Sequence, residues 1–142
     1  MKNIVLLLLS MYMFGCTSVS HQNAIERRPH HFDTPEAVIE VYYTALITGD
    51  EDLLNSCFTD KKNLKIVGKM RDIKYKIRKK RVVSREEAVV RNSGSTPNVL
   101  KEGDVELILY ETIKNNTEEM TFIIRKQGKE WRIYSHSLGY YV

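Results

Sequence analysis

The spacing of apolar residues changes character several times along the chain. Residues 4–14 (Ile-Val-Leu-Leu-Leu-Leu-Ser-Met-Tyr-Met-Phe) form an almost unbroken apolar run behind Lys2. Thr17 to Phe32 keeps no period and contains Pro29, which predicts a flexible tether. Ala37, Val38, Val41, Tyr42, Ala45 and Leu46 then recur at helical spacing, so one stripe of a helix is expected to be buried. Asp33-Thr34-Pro35-Glu36 supplies its start: a side chain that can accept backbone N–H bonds, a proline tolerated in the first turn, and an acid at the positive end. Gly49 supplies its stop. A second, shorter helix carries Leu53, Leu54, Cys57 and Phe58 behind Asp50-Glu51-Asp52. Those three acids are accounted for by their place at a helix N-terminus.

Thr59 to Met70 is two-sided: Leu64, Val67 and Met70 suit a short helix, while Leu64-Lys65-Ile66-Val67 suits a strand. From Arg71 the period becomes two. Ile73, Tyr75 and Ile77 alternate with Lys74, Lys76 and Arg78, and Val82-Val83 continue the apolar content. Ala88-Val89-Val90 reads as a further short strand. Residues 92–104 (NSGSTPNVLKEGD) form a connection. Val105 to Ile113 is a long strand, with Val105, Leu107 and Leu109 on one face and Ile108 and Tyr110 on the other. Asn115-Asn116 is a turn; Met120, Phe122 and Ile124 alternate in the next strand. Gln127-Gly128-Lys129 is a tight turn, and Trp131, Ile133 and Ser135 alternate in the last strand. That strand is expected to turn Arg132, Tyr134 and His136 to the opposite face.

Helices first and strands afterwards is an α+β pattern. Hairpin-length turns make the sheet antiparallel. The helix stripe needs an apolar surface, and one face of that sheet is large enough. The fold expected is therefore N-terminal helices packed on an antiparallel sheet. With 142 residues, 42% hydrophobic and 28% charged, the chain suits one globular domain.

The first apolar run has the layout of an export signal. As a helix, its eleven residues would cover only about 16 Å, against roughly 30 Å of bilayer core. Met13-Phe14-Gly15-Cys16 follows it directly. This resembles the lipobox of bacterial lipoproteins, in which a small residue precedes an obligatory cysteine that takes up lipid through its sulfur. Met13 and Phe14 depart from the Leu and the Ala or Ser usual there, and Ser18-Val19-Ser20 offers an ordinary signal-peptidase site as the alternative. The expected organisation is residues 1–15 as lipoprotein signal peptide, 16–32 as lipidated cysteine and tether, and 33–142 as the domain. The expected address is the cell envelope, anchored to the membrane through Cys16. If sorting follows the enterobacterial pattern, Thr17 after the cysteine favours the periplasmic face of the outer membrane over the inner membrane. Cys57, then without a partner in the chain, is expected to be buried and inert.

Two stretches carry a family resemblance. TPEAVIEVYYTALITGDEDLLNSCF resembles the opening helix, Gly-Asp break and second helix of the nuclear transport factor 2-like (SnoaL-like, ketosteroid-isomerase-like) superfamily. GKEWRIYSHS resembles its closing strand. Together they frame Asp33 to Ser137. The resemblance implies a curved antiparallel sheet wrapped around the first helix as a cone, which members use for catalysis, for binding ligand or protein, or, through the outer sheet, for forming homodimers.

The chemistry is sparse. Tyr42, Tyr110, Tyr134 and His136 are the residue types an isomerase, cyclase or hydratase would need, yet no acid aligns with them, and core or structural roles account for all four. His30-His31 has no third ligand near it, so no metal is expected. No phosphate loop or Ser-His-Asp signature is present, and no cofactor is expected. The sharpest local feature is Arg71 to Arg81, RDIKYKIRKKR. Strand alternation places Lys74, Lys76, Arg78 and Lys80 on one face with Asp72, as a surface for an anionic partner such as lipid headgroups or acidic polysaccharide. The alternative is a solvated strand whose lysines resist edge-to-edge aggregation. Net charge is only +4, and nucleic acid is not an expected partner. The expected function is ligand or protein binding without catalysis, with a small cone-pocket enzyme as the alternative.

Overall fold

The computed structural model describes residues 31–60, 63–68, 70, 72–93 and 99–137. The elements run α1 (Pro35–Thr48), α2 (Glu51–Ser56), β1 (Ile73–Val82), α3 (Arg85–Asn92), β2 (Val105–Ile113), β3 (Asn116–Gln127) and β4 (Glu130–His136). The class is α+β. The four strands form one open antiparallel sheet in the order β1-β2-β3-β4.

Each helix begins where a side chain can take up an orphan N–H. The Thr34 hydroxyl accepts from the amide of Ala37 at 3.1 Å, and the Asp50 carboxylate from that of Leu53 at 2.9 Å. Gly49 ends α1 in the left-handed conformation, φ 74°, with its N–H donated to the Ala45 carbonyl. The helix lays Val38, Ile39, Tyr42, Tyr43, Ala45 and Leu46 on the inner face of the sheet against Leu107, Leu109, Phe122, Ile124 and Ile133; all are at most 6% exposed. Leu54, Cys57 and Phe58 of α2 and its end join the same core.

The free side of β4 is partly covered. The amides of Trp131 and Ile133 donate to the carbonyls of Phe32 and Cys57, each at 2.7 Å, and the Ile133 carbonyl accepts from the Thr59 amide. The segment before α1 and the end of α2 are thereby stitched to the last strand. The described residues between Thr59 and Met70 form neither helix nor strand.

Ala88-Val89-Val90 is helical, within α3, and not the expected strand. Local chemistry outweighs the β-branched pair. The Ser84 hydroxyl accepts from the Glu87 amide at 3.2 Å, Glu86 and Glu87 stand at the positive helix end, and Arg91 stands in the last turn. The helix packs on the outer face of the sheet through Ala88, which joins Val83, Leu100 and Ile123 in a second small core. Ion pairs fasten it. Glu106, buried on the outer face of β2, pairs with Arg81 of β1 and with Arg91 of α3, and Glu87 pairs with the same two arginines. Ser84→Ala removes the cap and is expected to cost about 1 kcal/mol, read as a lower urea midpoint at unchanged m-value.

Two bulges decide which side chains share a face. One lies in β1 between Ile77 and Lys79, the other opposite Ile123 and Ile124 of β3, where β4 takes an extra residue. A one-residue slip moves every following side chain to the other face.

Candidate functional site

The β1 bulge rearranges the cationic strand. Lys74 and Lys76 pair in register with Thr112 and Tyr110, on the outer face. Arg78 stands over the Tyr110 ring at 5.1 Å and donates to the Tyr110 hydroxyl and the Glu119 carboxylate. Beyond the bulge Lys80 pairs with the buried Leu107 on the inner side, where its ammonium meets Glu36 of α1 at 2.7 Å. Lys80 therefore does not share a face with the other three. Lys79, opposite Ile108, takes the outer position instead. Sequence alternation could not reveal this, because a bulge is fixed by the partner strand. Lys74, Lys76 and Lys79 are exposed, and among the described residues none of them forms an ion pair. Cys16 lies outside the described residues.

The β4 bulge separates residues expected to lie together. His136 pairs with Phe122 on the inner side, its ring 5.5 Å from Phe122, 5.5 Å from Phe58 and 6.0 Å from Tyr42. Tyr134 is on the outer side, its ring 3.6 Å from the Arg125 guanidinium, its hydroxyl accepting from the Val99 amide. Arg125 is held in turn by two bonds to the Asp104 carboxylate, at 2.9 and 2.7 Å. So of the four candidate aromatic and histidine residues, Tyr42 and the half-buried His136 meet on the inner side, whereas Tyr110 and Tyr134 lie apart on the outer face.

One interior acid is only faintly signalled in the sequence. Glu111 is 3% exposed on the inner face of β2, in line with Val105, Leu107 and Leu109. That alternation is its only signal. Tyr43, stacked on Tyr75 with centroids 4.1 Å apart, turns its hydroxyl toward Glu111 without full hydrogen-bond geometry. Burial raises the Glu111 pKa above the ordinary value near 4.5; the Tyr43 hydroxyl opposes this and the charge of Glu118 adds to it. Burial, with Glu111 nearby, raises that of Tyr43 as well. Glu106 moves the other way: burial raises its pKa, but hydrogen bonds from Arg81 and Arg91 outweigh burial and hold it below the usual range.

The two acids have opposite linkage. A raised folded-state pKa means that Glu111 favours the fold below about pH 4.5 and loses that contribution as pH rises through its folded value. Glu106 supplies stability above about pH 4.5 that is lost as pH falls through its depressed folded value. Glu111→Gln, neutral at every pH, is expected to leave stability near pH 4 unchanged within about 0.5 kcal/mol and to raise it at pH 7 by about 1 kcal/mol. Denaturation midpoints at the two pH values check this.

Burial pushes the Cys57 thiol up to about 12, and its sulfur bonds the Leu53 carbonyl, so it is inert as a nucleophile. A groove of about 280 Å³ on the outer side is lined by Arg91, Thr121, Ile123 and Ser135 among others. Among the described residues no group of three or more His, Cys, Asp or Glu could hold a metal, and no helix is long and apolar enough to cross a membrane. No family model, curated protein or solved structure matches the chain.

Proposed function

We propose that this chain is a lipid-anchored cell-envelope protein whose domain, of nuclear transport factor 2-like type, binds a ligand or another envelope protein at its surface and performs no catalysis. Residues 1–15 would direct export, Cys16 would carry acyl chains, and 33–142 would be held close to the membrane. The apolar run ending at Cys16 supports the anchor. Two helices broken at Gly49, followed by sequential antiparallel strands with Trp131 in the last, support the family.

The observation that carries the non-catalytic reading is the packed inner face. The space that a cone-shaped pocket would need is taken by Ile39, Tyr42, Tyr43 and Leu46 of α1. Detergent phase partitioning of the chain expressed in a lipoprotein-processing bacterium tests the anchor: recovery in the detergent phase is expected, and recovery in the aqueous phase contradicts it.

One observation favours a second reading, a small isomerase, cyclase or hydratase. Glu111, with its raised pKa, lies beside Tyr43, a proton donor next to a potential oxyanion partner. Deuterium exchange at the α-carbon of small enolisable carbonyl compounds decides. Exchange promoted by the wild type and lost in Glu111→Gln supports catalysis; no exchange above the uncatalysed rate supports the non-catalytic reading.

A further inference from the structure

The outer surface combines two features that a purely solvated face does not need. Lys74, Lys76 and Lys79 stand exposed on β1 without ion pairs among the described residues. On the same side of the sheet α3 turns its polar and small residues inward, with Ala88 on Ile123 and Arg91 on Glu106. It leaves Val89 and Val90 outward, 65% and 70% exposed. This is the reverse of the usual surface helix, whose apolar side is buried. Exposed apolar side chains next to unpaired cations are the composition of a surface that rests on an anionic bilayer, where valines enter the headgroup boundary and lysines meet lipid phosphates. The exposed acids on this side include Asp72, Glu86, Glu119 and Glu130, of which Glu119 is held by Arg78 and Glu130 by Arg132.

Chain geometry selects lipid over a soluble polyanion. Sixteen residue steps separate Cys16 from Phe32, a reach of at most roughly 55 Å. Phe32 is fixed to Trp131 at the start of β4, and Glu36, four residues later, to Lys80 near the end of β1. In an antiparallel sheet the end of β1 and the start of β4 lie at the same end. The chain therefore joins the domain at the end of the sheet where Lys79 stands and from which α3 departs. A lipid on Cys16 keeps this end beside the membrane at high effective concentration.

We propose that Lys74, Lys76 and Lys79 of β1, together with Val89 and Val90 of α3, form a docking face for an anionic phospholipid surface. This rests on the lipid-anchor reading. The face lays the domain flat on the bilayer that holds its anchor and leaves the α1 side turned to the periplasm.

The test uses the full mature chain, lipidated, purified and reconstituted, with an environment-sensitive fluorophore on Ser93→Cys, exposed at the end of α3 one turn beyond Val89 and Val90; Cys57 is buried and does not compete. Flotation reports the anchor and emission reports docking. With phosphatidylglycerol-containing vesicles the emission is expected to shift to the blue. With phosphatidylcholine vesicles it is not. The shift is expected to disappear at high salt and in the Lys74→Gln, Lys76→Gln, Lys79→Gln variant, each cation contributing about fivefold to the docking equilibrium. These exposed, unpaired positions leave the fold intact, which an unchanged melting temperature verifies. As a second variant, Val89→Ser in the labelled chain is expected to weaken docking with no change in salt dependence. Flotation with equal emission on both vesicle types overturns the docking face and leaves the anchor standing. So does a triple variant that behaves as wild type, or a blue shift on phosphatidylcholine vesicles that appears only when acidic polysaccharide is added. Failure to float with either vesicle overturns the anchor and the docking face with it.

Discussion

Phe122→Ala is expected to cost about 3–5 kcal/mol, enough to leave a domain of this size close to unfolded. Phe122 is fully buried at the centre of β3, where inner-face strands meet the helix. Its ring approaches that of Tyr42 of α1 edge-on at 5.3 Å, and the ring of His136 of β4 lies 5.5 Å away, beside Tyr42. Truncation deletes apolar burial and leaves a void bordered by rigid strands and a ring, which cannot collapse cheaply. The edge-to-face attraction between the Phe122 and Tyr42 rings disappears as well, worth about 0.5–1.5 kcal/mol. Val90→Ala on α3, mostly exposed, should change stability by no more than about 0.5 kcal/mol. Urea denaturation of both variants checks the contrast. A Phe122→Ala midpoint close to wild type would mean that α1 does not pack on the sheet as described.

The second large effect concerns location. Cys16→Ser is expected to abolish the lipid-anchored mature form, so that any chain left in the membrane fraction is precursor that keeps residues 4–14. A serine hydroxyl lacks the nucleophilicity of a thiolate toward a lipid donor, so no acyl chain would be added, and the peptidase that requires the lipidated residue would not cut. Two or more acyl chains, each gaining about 0.8 kcal/mol per buried methylene, make anchoring effectively permanent; without them the eleven apolar residues of 4–14 are too short to span comfortably. The expected product is an uncleaved precursor, or a soluble domain if Ser18-Val19-Ser20 is cut instead. Fractionation with immunoblotting distinguishes these. A Cys16→Ser chain that is still processed and membrane-bound would mean that another segment holds it.

Much of the fold is legible in the sequence because its signals are local. The stripe from Val38 to Leu46, the stop at Gly49 and the acids at Asp50 sit inside single elements, and the structure puts α1 and α2 there. The alternation of Val105, Leu107 and Leu109 marks an inner face that the structure buries. What escapes depends on partners distant in sequence. Nothing near Lys80 announces a bulge, yet the slip beside Ile77 carries Lys80 inward to Glu36 and brings Lys79 outward in its place. The second slip divides Tyr134 from His136 in the same way. Val89-Val90 misleads because β-branched residues favour strands on average, while the Ser84 cap and the acid-to-base order of α3 act on this one segment. Glu111 is readable in principle, since it continues the buried alternation, but an acid among exposed acids is easily assigned to solvent. The anchor, by contrast, rests on sequence alone.

Address, partners and docking face all depend on that anchor, and intact-mass and peptide mass spectrometry of the chain purified from a lipoprotein-processing host decides it. The expected product is a mature chain beginning at residue 16, with acyl and diacylglyceryl mass on the cysteine. A chain that retains residues 1–15, or that carries an unmodified thiol at Cys16, would refute the anchor and everything built on it.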